Sequence, residues 1–457
     1  MRKTVAIVGA GFCGTVLAAN LLRRPTSATD IVLIERGTAM GRGVAYAKQD
    51  FPYLLNVSAG RLSADSRDPQ QFLRYARRTL QNVAGEDFLP RALYGDYLQD
   101  MLLSAERAAP EHVRLRRVFG EVTGIARTDA GQPLAAQFND RPAILADRIV
   151  LALGNPPPAP PPWAADVLEH GAFRHDPGDL PKTLTGEHSV IIIGNGLTMA
   201  DVATALSGKP GGGPMLQTIS RRGLLPQPQA VFQMGGTRGA DALLASTHSV
   251  RQVLKASRAL ASEIEKSGGD WREAIAHIRS SAPHVWRGLP EIERRRFVRH
   301  LQVHWDIHRH RLPPQLTLGI ECLRRAGRLR IAAGRIQHIA PLDHRLRVSW
   351  RPRGSTDSKT QLADLVVNAT GPNYSIERSR DPLVRALQAA GMISPDALQL
   401  GIRTAPFGAC LDAQGHSARD LFYLGPMLRA DHWDATGAIE LRDHAESLAA
   451  HLAAGSS

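Results

Sequence analysis

The chain has 457 residues, too many for one domain, and its 43% apolar content is ordinary for a protein that buries a sizeable core. Its net charge of +13 comes with only 7 lysines among 56 basic residues; the arginines spread along the whole chain, and the densest stretch, 287–311, has few aromatic residues and matches no nucleic-acid module, so the charge suits a small anionic substrate rather than a nucleic acid. Three scattered cysteines, Cys13, Cys322 and Cys410, exclude a disulfide framework, zinc-ligand spacing and the close redox pair of a disulfide reductase; no apolar run approaches the roughly 20 residues of a membrane helix and the start reads as a strand rather than a signal peptide, which predicts a cytoplasmic protein.

The first predicted unit runs strand, glycine turn, helix, strand, acid. Residues 5–8 lead into Gly9-x-Gly11-x-x-Gly14, and a second apolar run, 31–34, ends at Glu35. Gly9 permits the tight turn, Gly11 lets the backbone approach a pyrophosphate, and Gly14 lets the helix pack on the sheet. The helix N-terminus then offers its N–H groups and dipole to phosphates. Glu35 is placed to accept from ribose hydroxyls. Two glycine-punctuated loops follow, 41–46 and 54–63, at the strand ends where a ring system would lie. They make Arg42 and Asn56 candidate cofactor contacts, Arg42 through its charge and Asn56 through an amide that both donates and accepts, and Arg36, directly after Glu35, is a third. Residues 147–154 form another strand ending in glycine, and the proline run 156–162 is an extended spacer to the next unit.

The second predicted unit begins near 187. Residues 189–193 run into Gly194-x-Gly196, but Met199 stands where a third glycine would be, which predicts a helix set slightly off its sheet. Its next strand ends Ser220-Arg221-Arg222 rather than in an acid. Arginine accommodates a 2′-phosphate, so this site leans to NADPH over NADH. Between about 238 and 312 the apolar residues, from Ala242, Leu243 and Leu244 onward, recur at helical spacing, and Pro313-Pro314 stop the pattern. This predicts a helical insertion. Strands return at 328–331 and 346–350, another strand ends at Gly371, and the last strand ends at Gly425 before a helix from about 435.

Two such units predict an α/β fold with two Rossmann-like dinucleotide-binding domains and a helical insertion. The FAD domain is expected to be discontinuous, 1–160 with 372–457, and the NAD(P)H domain to span 186–371. Within the insertion, His300, His304 and His308 share a helical face, a geometry that can ligate a metal, but the surrounding arginines argue against a cation and no metal is expected. An anion-binding surface of His308, Arg309 and Arg311 is the reading preferred. No nucleophile elbow or Ser–His–Asp order supports hydrolytic chemistry.

Several of these segments together resemble a bacterial group of FAD/NAD(P)-binding proteins: Gly9 to Gly14, Gly41 to Tyr46, Leu55 to Ser63, Arg91 to Leu98, Ile219 to Pro226 and Trp305 to Arg311. The resemblance covers nearly the whole chain and departs from the group at Ser58, where proline is frequent. That group includes a FAD-dependent urate hydroxylase and an aspartate N-monooxygenase, and the chain looks closest to the urate branch. The resemblance implies a monooxygenase in which NADPH or NADH reduces FAD and the reduced flavin activates O2. Arg61, His308, Arg309 and Arg311 become the candidates that bind and orient an anionic urate. The rival is an amino-acid N-hydroxylase, which needs a carboxylate for the substrate ammonium; Asp306 or Asp434 would supply it. A flavin redox sensor without turnover is the alternative of a different class.

Overall fold

The structure is a computed structural model that describes residues 2–24, 27–127, 133–181, 184–208, 213–232 and 248–455. Its first sheet has six strands. β1 (Lys3–Val8) pairs in parallel with β2 (Thr29–Glu35) on one side and β7 (Arg148–Leu151) on the other; β3 (Val113–Phe119) extends the β2 edge. From the far end of the chain, β16 (Ser417–Tyr423) joins β7 in parallel and β15 (Ala409–Leu411) pairs antiparallel with β16. The strands are near-continuous apolar runs because both faces are covered. Ile7, Ile31 and Leu33 face α1 (Phe12–Leu22), α3 (Arg91–Arg107) and the C-terminal helix α11 (Ala438–Ala454). Val8, Val32 and Ile34 face the opposite way, onto the small antiparallel sheet β4 (Val122–Arg127), β5 (Leu134–Phe138), β6 (Ile144–Ala146), and onto α10 (Pro382–Ala389). Every residue of α1 is buried, as a helix clamped between a sheet and two further helices must be. The remaining helix of this part, α2 (Gln71–Thr79), packs on α3.

The second sheet has seven strands in the order β13-β12-β11-β10-β9-β14-β8. β9 (Ser189–Ile193), β10 (Met215–Ser220), β14 (Leu365–Asn368) and the two-residue β8 (Phe173–Arg174) are parallel neighbours. Phe173 and Arg174 thus join this sheet ahead of residue 186; a strand of two residues leaves no periodic trace in sequence. β11 (Leu329–Leu342) changes role along its length. Its first part runs parallel to β10, and from Gly334 onward it pairs antiparallel with β12 (Arg345–Pro352), which continues into β13 (Lys359–Ala363). On one face, α4 (Leu197–Ser207) and α9 (Pro314–Arg325) cover Val190, Ile192 and Leu216.

Between β10 and α9 the chain forms the insertion: α5 (Val250–Lys266), α6 (Trp271–Gly288), α7 (Glu291–His300) and α8 (Gln302–Arg309). Ser249 and Asp270 cap α5 and α6 through their side chains, and Leu260, Ile264, Ile278 and Val285 form the helices' own core. The predicted helical residues Ala242, Leu243 and Leu244 lie outside the described residues. Trp286 packs at a tilt against Trp433, ring centroids 4.7 Å apart, and its indole N–H donates to the Ala430 carbonyl at 2.9 Å. The insertion therefore docks on the C-terminal segment that belongs with the first sheet. None of the described helices is long and apolar enough to cross a membrane.

Candidate functional site

Each parallel sheet presents a glycine turn and a helix N-terminus at the carboxyl end of its strands. In the first, Gly9 has φ +104°, a conformation that favours glycine, and its N–H donates to the Ile34 carbonyl at 2.8 Å. A Cβ at Gly14 would fall on the Gly9 carbonyl, so only glycine lets α1 sit this close to the turn. Gly43 closes over the turn, its Cα 3.5 Å from where a Gly11 side chain would begin. Glu35 braces it from below: one carboxylate oxygen accepts from Ala10 N–H at 2.9 Å and the other from Gly37 N–H at 2.8 Å. Each oxygen keeps a lone pair for a ribose hydroxyl.

The second turn repeats this plan with Gly194 at φ +117°. Met199 is fully buried and packs into the core between α4 and the sheet, where the first unit has the bare contact of Gly14. Open space surrounds the Gly196 Cα, and both amide atoms of the buried Asn195 side chain lack a hydrogen-bond partner. Gly196 at α4 and Gly11 at α1 provide no capping side chain, and neither first turn carries an acid, whereas α5, α6 and α10 are capped by Ser249, Asp270 and Asp381. Two uncapped helix ends at glycine turns fit the pyrophosphates of FAD and NAD(P)H.

Four of the arginines expected to meet a cofactor or substrate are engaged elsewhere. Arg42 is half-buried, donating to the Ala92 carbonyl at 3.2 Å and to Gln99, and pairing with Asp96; it anchors its loop to α3 and its charge is offset there. Arg36 reaches Asp381 at 3.3 Å and Glu121 at 3.8 Å, away from the glycine turn. Arg222 donates to His304 Nε2 at 2.9 Å and to the carbonyls of His300 and Arg299, where it caps the end of α7. Arg309 is buried on Asp434, 2.9 Å, and Glu440, 3.2 Å, in a network that Arg279 shares. These pairs tie the insertion to the start of α11 and offset the Arg309 charge. Arg221, by contrast, is exposed and makes no hydrogen bond or ion pair among the described residues, and the Ser220 hydroxyl accepts from Gly223 N–H at 3.1 Å.

The helix also breaks at Leu301, so His300 belongs to α7 while His304 and His308 belong to α8. His308 turns Nδ1 back to the His304 carbonyl at 2.7 Å and packs edge-on against Trp271. Half-buried His310 lies beside Arg309; desolvation, then that charge, pushes its pKa down to about 3, so it is neutral at physiological pH.

Two of the expected arginines do converge. Arg61, on the 54–63 loop, lies 5.7 Å from the Phe232 ring centroid, and Arg311, at the end of the insertion, lies 5.9 Å from the same ring and 5.9 Å from Trp271. Arg61 is exposed and makes no hydrogen bond or ion pair among the described residues. Arg311 donates through Nε to Gln229 at 2.8 Å and through Nη1 to the His308 carbonyl at 3.0 Å, which leaves Nη2. Burial first, then the charges of Arg309, Arg272 and Arg61, lowers its pKa to about 10, so it stays cationic at neutral pH. The Asn56 carbonyl accepts from Gln229 Nε2 at 3.2 Å. Gln229, Phe232, Trp271 and Arg272 were not singled out from the sequence, where they fall in no motif.

The two candidate carboxylates separate. Asp434 is 2% exposed and held by Arg309 and Arg279. Asp306 accepts from Gln302 at 3.3 Å through one oxygen, while the other takes no hydrogen bond and has Arg429 only at 3.9 Å. Burial, outweighing Arg429, raises the Asp306 pKa from its ordinary value.

Residues 6–156 match the family described as FAD-NAD(P)-binding. No curated protein matches the chain by sequence. Among solved structures, a FAD-bound cadaverine monooxygenase of desferrioxamine biosynthesis from Erwinia amylovora is similar with a TM-score of 0.64 and 14% identity, covering 99% of this chain and 94% of that one. L-lysine 6-monooxygenase from Pseudomonas syringae also scores 0.64, at 16% identity and 99% of both chains. The ornithine N-hydroxylase of Kutzneria sp. 744, with reduced FAD, NADP+ and L-ornithine, scores 0.58 at 16% identity over the whole of both chains. The α/β fold with two Rossmann-type units is thus shared with flavin monooxygenases end to end.

Proposed function

We propose that this chain is a FAD-dependent, NAD(P)H-consuming monooxygenase that hydroxylates the nitrogen of a small acidic amino acid, with aspartate as the reference substrate. The observation that carries the substrate class is the pairing of Arg61 and Arg311 across Phe232, with the Asp306 carboxylate on the same helical insertion as Arg311 and not used up by a salt bridge at hydrogen-bond distance. The fold supports the reaction class, since all three structures above belong to enzymes acting on amines.

The first glycine turn with Glu35 would hold FAD; the second, with Ser220 and Arg221, would hold the nicotinamide nucleotide, and the exposed Arg221 suits the 2′-phosphate of NADPH. When bound, FAD supplies the redox chemistry, taking reducing equivalents from NAD(P)H and passing one oxygen atom of O2 to the substrate. The protein's own part is positional. Arg61 and Arg311 hold carboxylates by charge-assisted hydrogen bonds. Asp306 holds the ammonium and takes its proton, which exposes the nitrogen lone pair that must attack oxygen. The Trp271 and Phe232 rings line the site and reduce its water content.

Urate, the substrate suggested by one branch of the resemblance, finds no support in the structural relatives, which act on amines. The test is product analysis with the FAD-loaded protein: L-aspartate is expected to give an N-hydroxylated product in step with NADPH oxidation, whereas loss of urate would overturn the reading.

A further inference from the structure

Gln229 hydrogen-bonds both the 54–63 loop and Arg311. Its backbone is fixed first. Gln227 N–H donates to the Ile307 carbonyl at 2.8 Å, Leu312 N–H to the Gln227 carbonyl at 2.9 Å, and Gln229 N–H to the Leu312 carbonyl at 2.8 Å. Arg272 adds two donations to the Pro228 carbonyl, at 3.1 and 2.6 Å, and is itself held by Asp270 at 2.9 Å. The segment 227–229 is thus locked against the end of the insertion, and the register puts Gln229 beside Arg311. The orientation of its amide follows from chemistry. A guanidinium only donates and a carbonyl only accepts, so Oε1 must face Arg311 Nε, 2.8 Å, and Nε2 must face the Asn56 carbonyl, 3.2 Å.

We infer that Gln229 is a positioning residue that sets the Arg311 guanidinium for the substrate carboxylate and links it to the loop carrying Asn56 and Arg61. This rests on the proposed function for the identity of the substrate, but not for the contact itself. Two groups are linked through the one Gln229 amide: the Asn56 carbonyl and the Arg311 guanidinium. With Nε committed to Gln229 and Nη1 to the His308 carbonyl, the Arg311 guanidinium is held in one orientation and Nη2 remains for a carboxylate. An uncharged partner is essential, because a carboxylate in place of the amide would neutralise the guanidinium and would face the Asn56 carbonyl with a second acceptor.

The test uses the FAD-loaded protein with Gln229→Ala and Gln229→Glu, with flavin content and far-UV circular dichroism confirming the fold. Binding of succinate, a dianion without the reacting nitrogen, is followed by flavin fluorescence, and aspartate turnover is measured alongside. Gln229→Ala is expected to weaken succinate about tenfold and raise KM to match, with kcat changed less than about threefold, the size expected for one hydrogen bond to a charged group. Gln229→Glu is expected to be the more harmful, although it restores the volume and keeps an acceptor for Arg311. A role in packing alone predicts the opposite order. Unchanged succinate binding in both variants, or the milder effect in Gln229→Glu, would overturn the assignment, as would a wild-type protein that binds no succinate. Wild-type protein that binds succinate but does not turn over aspartate would count against the catalytic reading and leave the assignment of Gln229 standing on the binding data.

Discussion

Arg311 and Asp306 lie five residues apart and have opposite tasks in the proposed reaction, which makes them separable by kinetics. Truncating Arg311 to alanine removes a half-buried cation from the carboxylate site; a cost of about 2–5 kcal/mol corresponds to a rise in KM of at least about 30-fold. Arg311→Lys is expected to recover only part of it, since lysine cannot hold Gln229 and a carboxylate in one planar fork. Asp306 predicts a pH effect. Its folded pKa is raised by burial, and only the ionised form holds an ammonium, so kcat/KM should fall as pH drops through that raised value, above the ordinary aspartate value of about 4. In Asp306→Asn this acid limb should vanish from the pH profile along with most of the activity; a limb that persists in the variant would assign it to another group. Sequence reasoning names the residues of this region but not the directions of their side chains. Arg309 and Arg311 stand two apart in one motif, yet one is consumed by Asp434 and Glu440 and the other faces Gln229. Nothing in the order of the residues distinguishes them, because the distinction is made by α11 and the 227–229 segment, which are remote in sequence.

At the scale of elements, the glycine turns were legible because the constraint is local. A turn that needs positive φ and a helix that approaches a carbonyl leave a fixed spacing of glycines. Gly14→Ala should therefore be more damaging than its size suggests: the added methyl would strike the Gly9 carbonyl, lifting α1 off the sheet. Reduced flavin retention on purification and a lower Tm are expected, and an alanine variant with full flavin content would refute the close packing. The second turn tolerates Met199 because its helix takes the side chain into the core. The insertion was legible as helices from its periodicity, but not its docking, which depends on Trp286 against Trp433 and on Arg309 and Arg279 against Asp434. Asp434→Asn leaves those guanidiniums with Glu440 alone. A loss of about 3 kcal/mol in unfolding free energy is expected by urea titration, at the low end for breaking a buried pair because one acid remains.

Over the whole molecule, the alternation of strand and glycine turn was enough to read two dinucleotide-binding units, and the comparison structures share that plan across their full length. The return of the C-terminal strands β15 and β16 to the first sheet, and the docking of the insertion on the segment that follows them, accompany the meeting of the 54–63 loop and Arg311 at Phe232. What sequence could not supply was the substrate, since an arginine-rich chain suits urate as well as an acidic amino acid. The most direct measurement is NADPH oxidation by the FAD-loaded protein with L-aspartate, with urate, and with neither, while following hydroxylamine formation and urate absorbance. The account predicts aspartate-dependent oxidation with a matching amount of N-hydroxylated product and urate left intact. Urate-dependent oxidation with matching urate loss, or oxidation indifferent to both that yields only peroxide, would contradict it.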